Sequence, residues 1–386
     1  MPRIPTLHVV ITAALVPMSP AKAQTVISDR ITCAECRILD LEVAKLGEAE
    51  GRGAIAGPPI GVTEDSQGRF WLFYDKTAPL VFDHSGRFLR EIGTVGAGPA
   101  EFRGPYHAFV IPGDSLVVLD QANQRATVVG PNLTPARTIT LSGWFMTAVS
   151  VTWPDAVLIS GKVPSSMAAS QPVHIVSFAE GQTRAVTSFG ASADEPLDGN
   201  PWSPFRHLIP AGEKSTWVVH PYHYRLRRLS NDGTVAEVLD RTAAWFKGYP
   251  EFSMGSPTIP PPTTIRGMSI DATGRLWLFI HTPSQNWRTA WPALPSGTRE
   301  VSANAIKAQS LYRTAIEVLD PVGGKLIARR QIDAWVAAVL QEGRVALYQE
   351  NALGFPSLKI VQFVMEAPNG AENERKGVSH AGAPIR

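Results

Sequence analysis

Short apolar runs recur along the chain, each following a tight turn. They read FWLFY at 70–74, SLVVL at 115–119, AVLIS at 156–160, STWVV at 215–219, RLWLFI at 275–280 and RVALY at 344–348. The runs are rich in β-branched and aromatic residues and bounded by turn residues, which predicts strands. Their apolarity is continuous, so both faces of each strand are expected to be buried. The preceding turns are Asp65-Ser66-Gln67-Gly68, Pro112-Gly113-Asp114, Trp153-Pro154-Asp155, Ala211-Gly212-Glu213, Asp271-Ala272-Thr273-Gly274 and Gln341-Glu342-Gly343. A polar loop, a third strand, a second turn and a fourth strand complete each unit. The second turn occurs five times, as Asp83-His84-Ser85-Gly86, Gly130-Pro131-Asn132, Glu180-Gly181-Gln182, Asn231-Asp232-Gly233 and Pro321-Val322-Gly323-Gly324.

Six first turns against five second turns point to the topology. The sixth unit stops after its third strand, 358–365, and an unassigned strand-like run, RILDLEVAKL at 37–46, precedes the first unit. The fold expected is all-β: a six-bladed β-propeller of four-stranded antiparallel blades, the last blade closed by the N-terminal strand. A closed ring leaves only short, protected edges. A two-sheet sandwich or an open solenoid leaves the orphan strand without a role. Residues 301–312 are the one fair helical stretch, and 367–386 lack apolar periodicity and read as a flexible tail.

Blade two carries a further pattern. Residues 98–110 (GPAEFRGPYHAFV) run from a Gly-rich segment through Phe to Pro, and 114–125 (DSLVVLDQANQR) place Asp120, Asn123 and Arg125 after a strand. This resembles the NHL-type repeat of six-bladed propellers. Blade one keeps an Asp, Asp75, without the Asn or Arg, and later blades depart further. The chain also resembles exported bacterial six-bladed propellers of unknown role. The resemblance implies the fold and a central channel; it implies no single function, because such propellers include protein-binding, nucleic-acid-binding and enzymatic members.

Composition adds an address. Among 386 residues, 18% are charged, with 32 Gly and 32 Pro; the usual charged share is about 25%. A coiled coil, an acidic disordered chain and a disulfide-dense miniprotein are excluded. Residues 1–23 read as a signal peptide: Arg3, an apolar stretch at 7–18, then Ala21-Lys22-Ala23 as a small-x-small cleavage pattern. The propeller domain then spans 24–366, and the protein is expected to be exported, periplasmic or extracellular. No later run is long enough for a transmembrane helix. Losing Arg3 and Lys22 leaves 34 basic and 34 acidic residues, so the electrostatic footprint of nucleic-acid binding is missing. Cys33 and Cys36, the only cysteines, are expected to form a local disulfide. A thiol-redox role lacks its thioredoxin-like context.

In this register the loop after each second strand and the loop entering each innermost strand open on one face. The first set begins at Asp75, Asp120, Gly161, His220, His281 and Gln349; the second brings Arg103, Tyr106, His107, Arg206, His207 and Arg266. Two insertions fall at the same loops: 282–311, with Trp287 and Trp291, and 241–263, with Trp245, Phe246, Tyr249 and Phe252. Long loops of this kind commonly bind, and guanidinium forks suit carboxylates and phosphates. The expected ligand-binding set is therefore Arg103, Tyr106, His107, Arg206, His207, Arg266, Trp287 and Trp291. His220, His281, Asp75 and Asp120 are types that ligate zinc or calcium, though without a local spacing motif; no other cofactor is expected. There is no Gly-rich phosphate loop, no Gly-x-Ser-x-Gly elbow and no Ser–His–Asp order. The expected function is a binding module presenting its loop-rich face to a peptide, glycan or partner protein. The alternative is a metal-dependent hydrolase (lactonase-like) or lyase with its site at the channel mouth.

Overall fold

The computed structural model describes residues 24–367 apart from 49, 112, 151–155, 164–170, 179–180, 182, 192–204, 248–257, 292–306 and 341–342. The signal peptide expected at 1–23 and all of the tail after 367 lie outside the described residues.

The chain first lays down β1 (Gln24–Ile27) and β2 (Arg37–Leu46). Blade one is β3 (Gly61–Glu64), β4 (Phe70–Phe73), β5 (Leu80–Phe82) and β6 (Phe88–Glu91). A short parallel pair, β7 (Thr94–Val95) and β8 (Glu101–Phe102), leads to blade two: β9 (Pro105–Ile111), β10 (Ser115–Asp120), β11 (Arg125–Val129) and β12 (Pro135–Thr140). Blade three is β13 (Trp144–Ser150), β14 (Ala156–Lys162), β15 (Val173–Ser177) and β16 (Arg184–Phe189). Blade four is β17 (His207–Pro210), β18 (Ser215–Val219), β19 (Arg225–Ser230) and β20 (Val235–Arg241). Blade five is β21 (Thr264–Ile270), β22 (Leu276–Pro283), β23 (Tyr312–Asp320) and β24 (Lys325–Ile332). Blade six is β25 (Trp335–Val339), β26 (Arg344–Glu350) and β27 (Pro356–Glu366), with β2 as its fourth strand. Each innermost strand abuts that of the next blade, and β25 abuts β3, which closes the ring. β2 runs antiparallel to β27, with Arg37 opposite Glu366 and Leu46 opposite Leu358. Of the helix expected over 301–312, the described residues show one turn, α1 (Ala308–Leu311).

The continuous apolar runs follow from this packing. Successive side chains of a strand point to opposite faces, and here each face meets a neighbouring blade. Phe70 and Leu72 join the core between blades six and one, while Trp71 and Phe73 join that between blades one and two. Among the described residues, buried side chains form one such cluster at each of the six junctions. Two first turns do more than reverse the chain. Asp65 accepts the Gln67 and Arg69 N–H groups, the Arg69 Nε (2.6 Å) and the Trp71 indole N–H (2.9 Å). Asp271 repeats this with Thr273, Arg275 and Trp277. The Asp-x-x-Gly-Arg-x-Trp pattern therefore bolts a surface turn to a core tryptophan.

One feature departs from the expected fold. β1 adds a fifth strand to blade four, parallel to β20. The chain then crosses to blade five, where the Thr32 and Cys33 N–H groups donate to the Leu326 and Ile327 carbonyls at 2.9 and 3.1 Å. Cys33 and Cys36 are disulfide-bonded at this crossing, and the chain reaches blade six as β2. Residues 24–46 thus strap three outer edges, covering strands that would otherwise present unpaired backbone. Asp29 on the strap pairs with Arg241 of β20 and Arg329 of β24. Both arginines also hold Glu317 of β23, which has no exposed surface and accepts the Tyr224 hydroxyl. Burial raises the Asp29 pKa, but hydrogen bonds from Arg241 and Arg329 outweigh it and hold the carboxyl below its ordinary value.

Candidate functional site

Neighbouring innermost strands are stitched together by side chains that donate to the next strand's carbonyls. Thr63 Oγ1 reaches the Ala108 carbonyl (3.0 Å), the Tyr106 hydroxyl that of Phe145, and His207 Nε2 that of Ile265 (2.9 Å). Arg266 donates from Nε to the Val336 carbonyl (3.3 Å) and from Nη2 to that of Ala337. The strands approach closely: a Cβ on Gly61 would lie 2.1 Å from the Tyr106 carbonyl oxygen. Tyr106, His207 and Arg266, expected as ligand contacts, therefore also hold the channel wall.

The four expected metal ligands are not brought together. Asp120 has no exposed surface, and its oxygens are already occupied. Oδ1 accepts the Gly104 N–H (2.9 Å) and the Asn123 N–H (3.3 Å); Oδ2 accepts the Arg103 N–H (3.1 Å) and Asn123 Nδ2 (2.7 Å). Asn123 also holds the Gly96 carbonyl, and Arg125 those of Ala97, Gly98 and Glu101. The Asp-x-x-Asn-x-Arg pattern clamps the loop that enters blade two. Asp75 lies exposed on a blade-one loop, while His220 and His281 belong to blades four and five. Among the described residues, no three His, Cys, Asp or Glu side chains are grouped to hold a metal. Asp120→Ala is expected to cost about 2–4 kcal/mol, since buried donors left unpaired cost ~1–3 kcal/mol each. Urea unfolding checks this, and a change below about 1 kcal/mol would contradict the clamp.

The three arginines differ in exposure. Arg103 is exposed at the start of blade two, Arg206 is buried and Arg266 is half-buried. Arg206 acts electrostatically on His220, and Arg266 on His207 and His281. Burial, reinforced by these cations, pushes His207 down to about 4, His220 to about 2 and His281 to about 3. All three imidazoles are therefore neutral at physiological pH. His220 Nδ1 accepts the Tyr222 N–H (3.0 Å), and its ring meets His223 edge-on with centroids 4.6 Å apart. His107 is half-buried on β9 opposite Leu119.

At the mouth of the junction between blades five and six the rings form a stack. His281 lies against Tyr312 (5.3 Å between centroids) and Trp335 (5.8 Å). The Arg266 guanidinium sits 5.7 Å from the Trp335 ring, and Tyr348 meets Trp335 edge-on at 6.3 Å. The Tyr348 hydroxyl donates to Glu350 (2.9 Å), which also takes Lys307 (3.2 Å) and Gln309 (3.3 Å). The end of the blade-five insertion is thereby docked on blade six.

The expected aromatic flanks behave differently. Trp287 is buried in a 3₁₀ turn, with Arg288 4.5 Å from its ring, next to the Ser284–Leu311 backbone bond that closes the insertion's base. It packs against its own insertion, and Trp291 is half-buried nearby. Trp245 and Phe246 pack on the core between blades four and five, and Tyr249 and Phe252 lie outside the described residues. Sequence reasoning missed Tyr312, Trp335 and Tyr348. Their only signal is an aromatic residue at the channel-mouth end of three strands.

No family model matches the chain, and no curated protein matches it. Solved structures do. A member of the DUF4221 family from Bacteroides vulgatus ATCC 8482 superposes with a TM-score of 0.60 at 9% identity, covering 86% of this chain and 99% of that one. A protein described as exported, from Bacteroides fragilis NCTC 9343, gives 0.56 at 11% identity, covering 88% of this chain and all of that one. At these identities the likeness shows the fold.

Proposed function

We propose that the protein is an exported binding module whose working surface is the loop face over blades four to six, presented to a peptide, glycan or partner protein. The observation that carries this is the Arg266–Trp335–His281–Tyr312 stack, a cation and three rings gathered from two blades beside a docked insertion. Neutral imidazoles and aromatic edges offer directional recognition, as binding surfaces do. The opposite face carries the tight turns closed by Asp65, Asp83 and Asp271. Export is supported by the signal-like residues 1–23 and by a fold shared with a protein described as exported. Among the described residues no helix is long and apolar enough to cross a membrane.

Glycan and peptide arrays probed with the mature protein test the reading. Tyr312→Ser is expected to weaken capture about tenfold, an order typical of one truncated contact, and Arg87→Gln on the turn face to leave it unchanged. Loss of capture with Arg87→Gln and not with Tyr312→Ser would place the surface elsewhere. The hydrolase or lyase alternative would gain ground from near-stoichiometric zinc or calcium in protein purified without chelator, lost on replacing His220 and His281.

A further inference from the structure

We propose that the mouth of the junction between blades five and six is a site for an organic monocarboxylate, with Arg266 as the charged fork and His281 as a second hydrogen-bonding group. This rests on the loop face being the working surface.

The argument begins with charge. Several buried and half-buried arginines elsewhere have acids: Arg69 has Asp65, Arg225 has Asp240, Arg241 and Arg329 share Glu317, and Arg344 has Glu64. Arg266 has none among the described residues, and burial lowers its pKa with no carboxylate to offset that. A desolvated cation without a counter-charge is unfavourable, so the protein holds here a charge that a ligand can complete.

Geometry specifies the ligand further. A guanidinium has five N–H donors in one plane. Arg266 gives one from Nε and one from Nη2 to the Val336 and Ala337 carbonyls, and Trp335 lies beside it. The plane is thereby pinned. Three N–H groups remain, including the end-on pair on Nη1 and Nη2, the arrangement that takes a carboxylate in bidentate fashion.

His281 supplies the independent observation. It is 3% exposed; its ring has a hydrogen bond with the Val336 backbone, while its Nε2 has no partner. Native buried polar atoms are almost always paired, so one left bare needs an explanation. Guanidinium and imidazole both border the Trp335 ring, and the Arg266 charge acts on His281, so the two groups share one neighbourhood. Of the groups in the stack Arg266 alone brings a charge, because His281 is neutral, and Lys307 alongside is paired with Glu350. One charge and a planar fork match a monocarboxylate better than a phosphate dianion.

The test uses the intact mature protein, with calorimetry and the histidine ring signals in nuclear magnetic resonance. The probes are galacturonate, for a sugar acid, and N-acetylalanine, for a peptide terminus. Galacturonate methyl ester, N-acetylalanine amide and inorganic phosphate are the comparators. At least one carboxylate is expected to bind and shift the His281 Nε2 signal, and which of the two does so identifies the source. Its uncharged partner and Arg266→Gln are each expected to weaken binding about thirtyfold or more, the scale for breaking a buried charge pair. Should Arg266→Gln fail to fold, His281→Phe keeps the ring stack and removes the nitrogen, and is expected to weaken binding at least fivefold, the loss of one hydrogen bond. Equal binding of acid and neutral analogue, tighter binding of phosphate, indifference to both variants, or no binding of either carboxylate would overturn the proposal. Array ligands captured through Tyr312, independently of Arg266 and without competition from the carboxylates, would sink this site while leaving the binding-module reading intact.

Discussion

Deleting residues 24–46 from the mature protein is expected to abolish its cooperative melt, or to lower the melting temperature by at least about 10 °C. The strap buries Ile27, Ile38 and Leu46 almost completely. Each such side chain contributes about 1.5–3 kcal/mol, so the three give roughly 5–9 kcal/mol, against a total stability of about 5–15 kcal/mol. The deletion also strips β27 of its partner along all of β2. A shorter deletion of 24–36 removes β1, Asp29 and the disulfide while sparing β2, and is expected to fall in between. Differential scanning calorimetry of the three proteins decides; identical melting temperatures would mean that the ring closes without the strap.

The second large effect is expected at Glu317. Glu317→Ala would leave Arg241 and Arg329 with only the half-exposed Asp29 between them and remove the acceptor of the Tyr224 hydroxyl. Breaking a buried ion pair by deleting one partner costs about 3–5 kcal/mol. Asp29→Ala removes the strap's contribution to the same cluster. Its side chain is 45% exposed, so solvent screening limits the loss to about 1 kcal/mol or less. Denaturant titrations of both variants check the ranking, and equal losses would show that the cluster does not centre on Glu317. The acid side follows the same logic. Asp29 and Asp240 are held below their ordinary values by arginine partners that outweigh burial at Asp29 and lead at Asp240. Their stabilisation is complete above the unfolded carboxylate pKa of about 4 and is lost as pH falls through the lowered values. Stability should therefore decline below about pH 4, and more shallowly in a protein carrying both Asp29→Asn and Asp240→Asn.

Much of the fold was legible because propeller blades are local objects. A strand–turn–strand unit is written in contiguous residues, and its continuous apolarity reports burial on both faces. The count of turns exposed the missing sixth outer strand, and 37–46 supplied it. β1 was not legible: four residues, Gln24–Ile27, carry no alternation, and their parallel partner β20 lies far along the chain, with Gln24 opposite Val238. Asp120 shows the same limit at the site. An Asp at a loop start looks alike whether it ligates a metal or clamps N–H groups, and only the approach of Arg103 and Gly104 tells them apart.

From sequence alone the six blades, their turns, the closing strand and the face bearing the loops could be derived, because each depends on neighbours along the chain or on a count. The tertiary structure decided which side chains meet across the junctions. It turned Tyr106 and His207 into stitches, dispersed the metal set, and assembled Tyr312, His281, Trp335 and Arg266 from two blades. The physical reason is that charge compensation and hydrogen-bond satisfaction are properties of a neighbourhood. Arg266 reads like any other arginine until the space around it is seen to hold rings and carbonyls and, among the described residues, no acid.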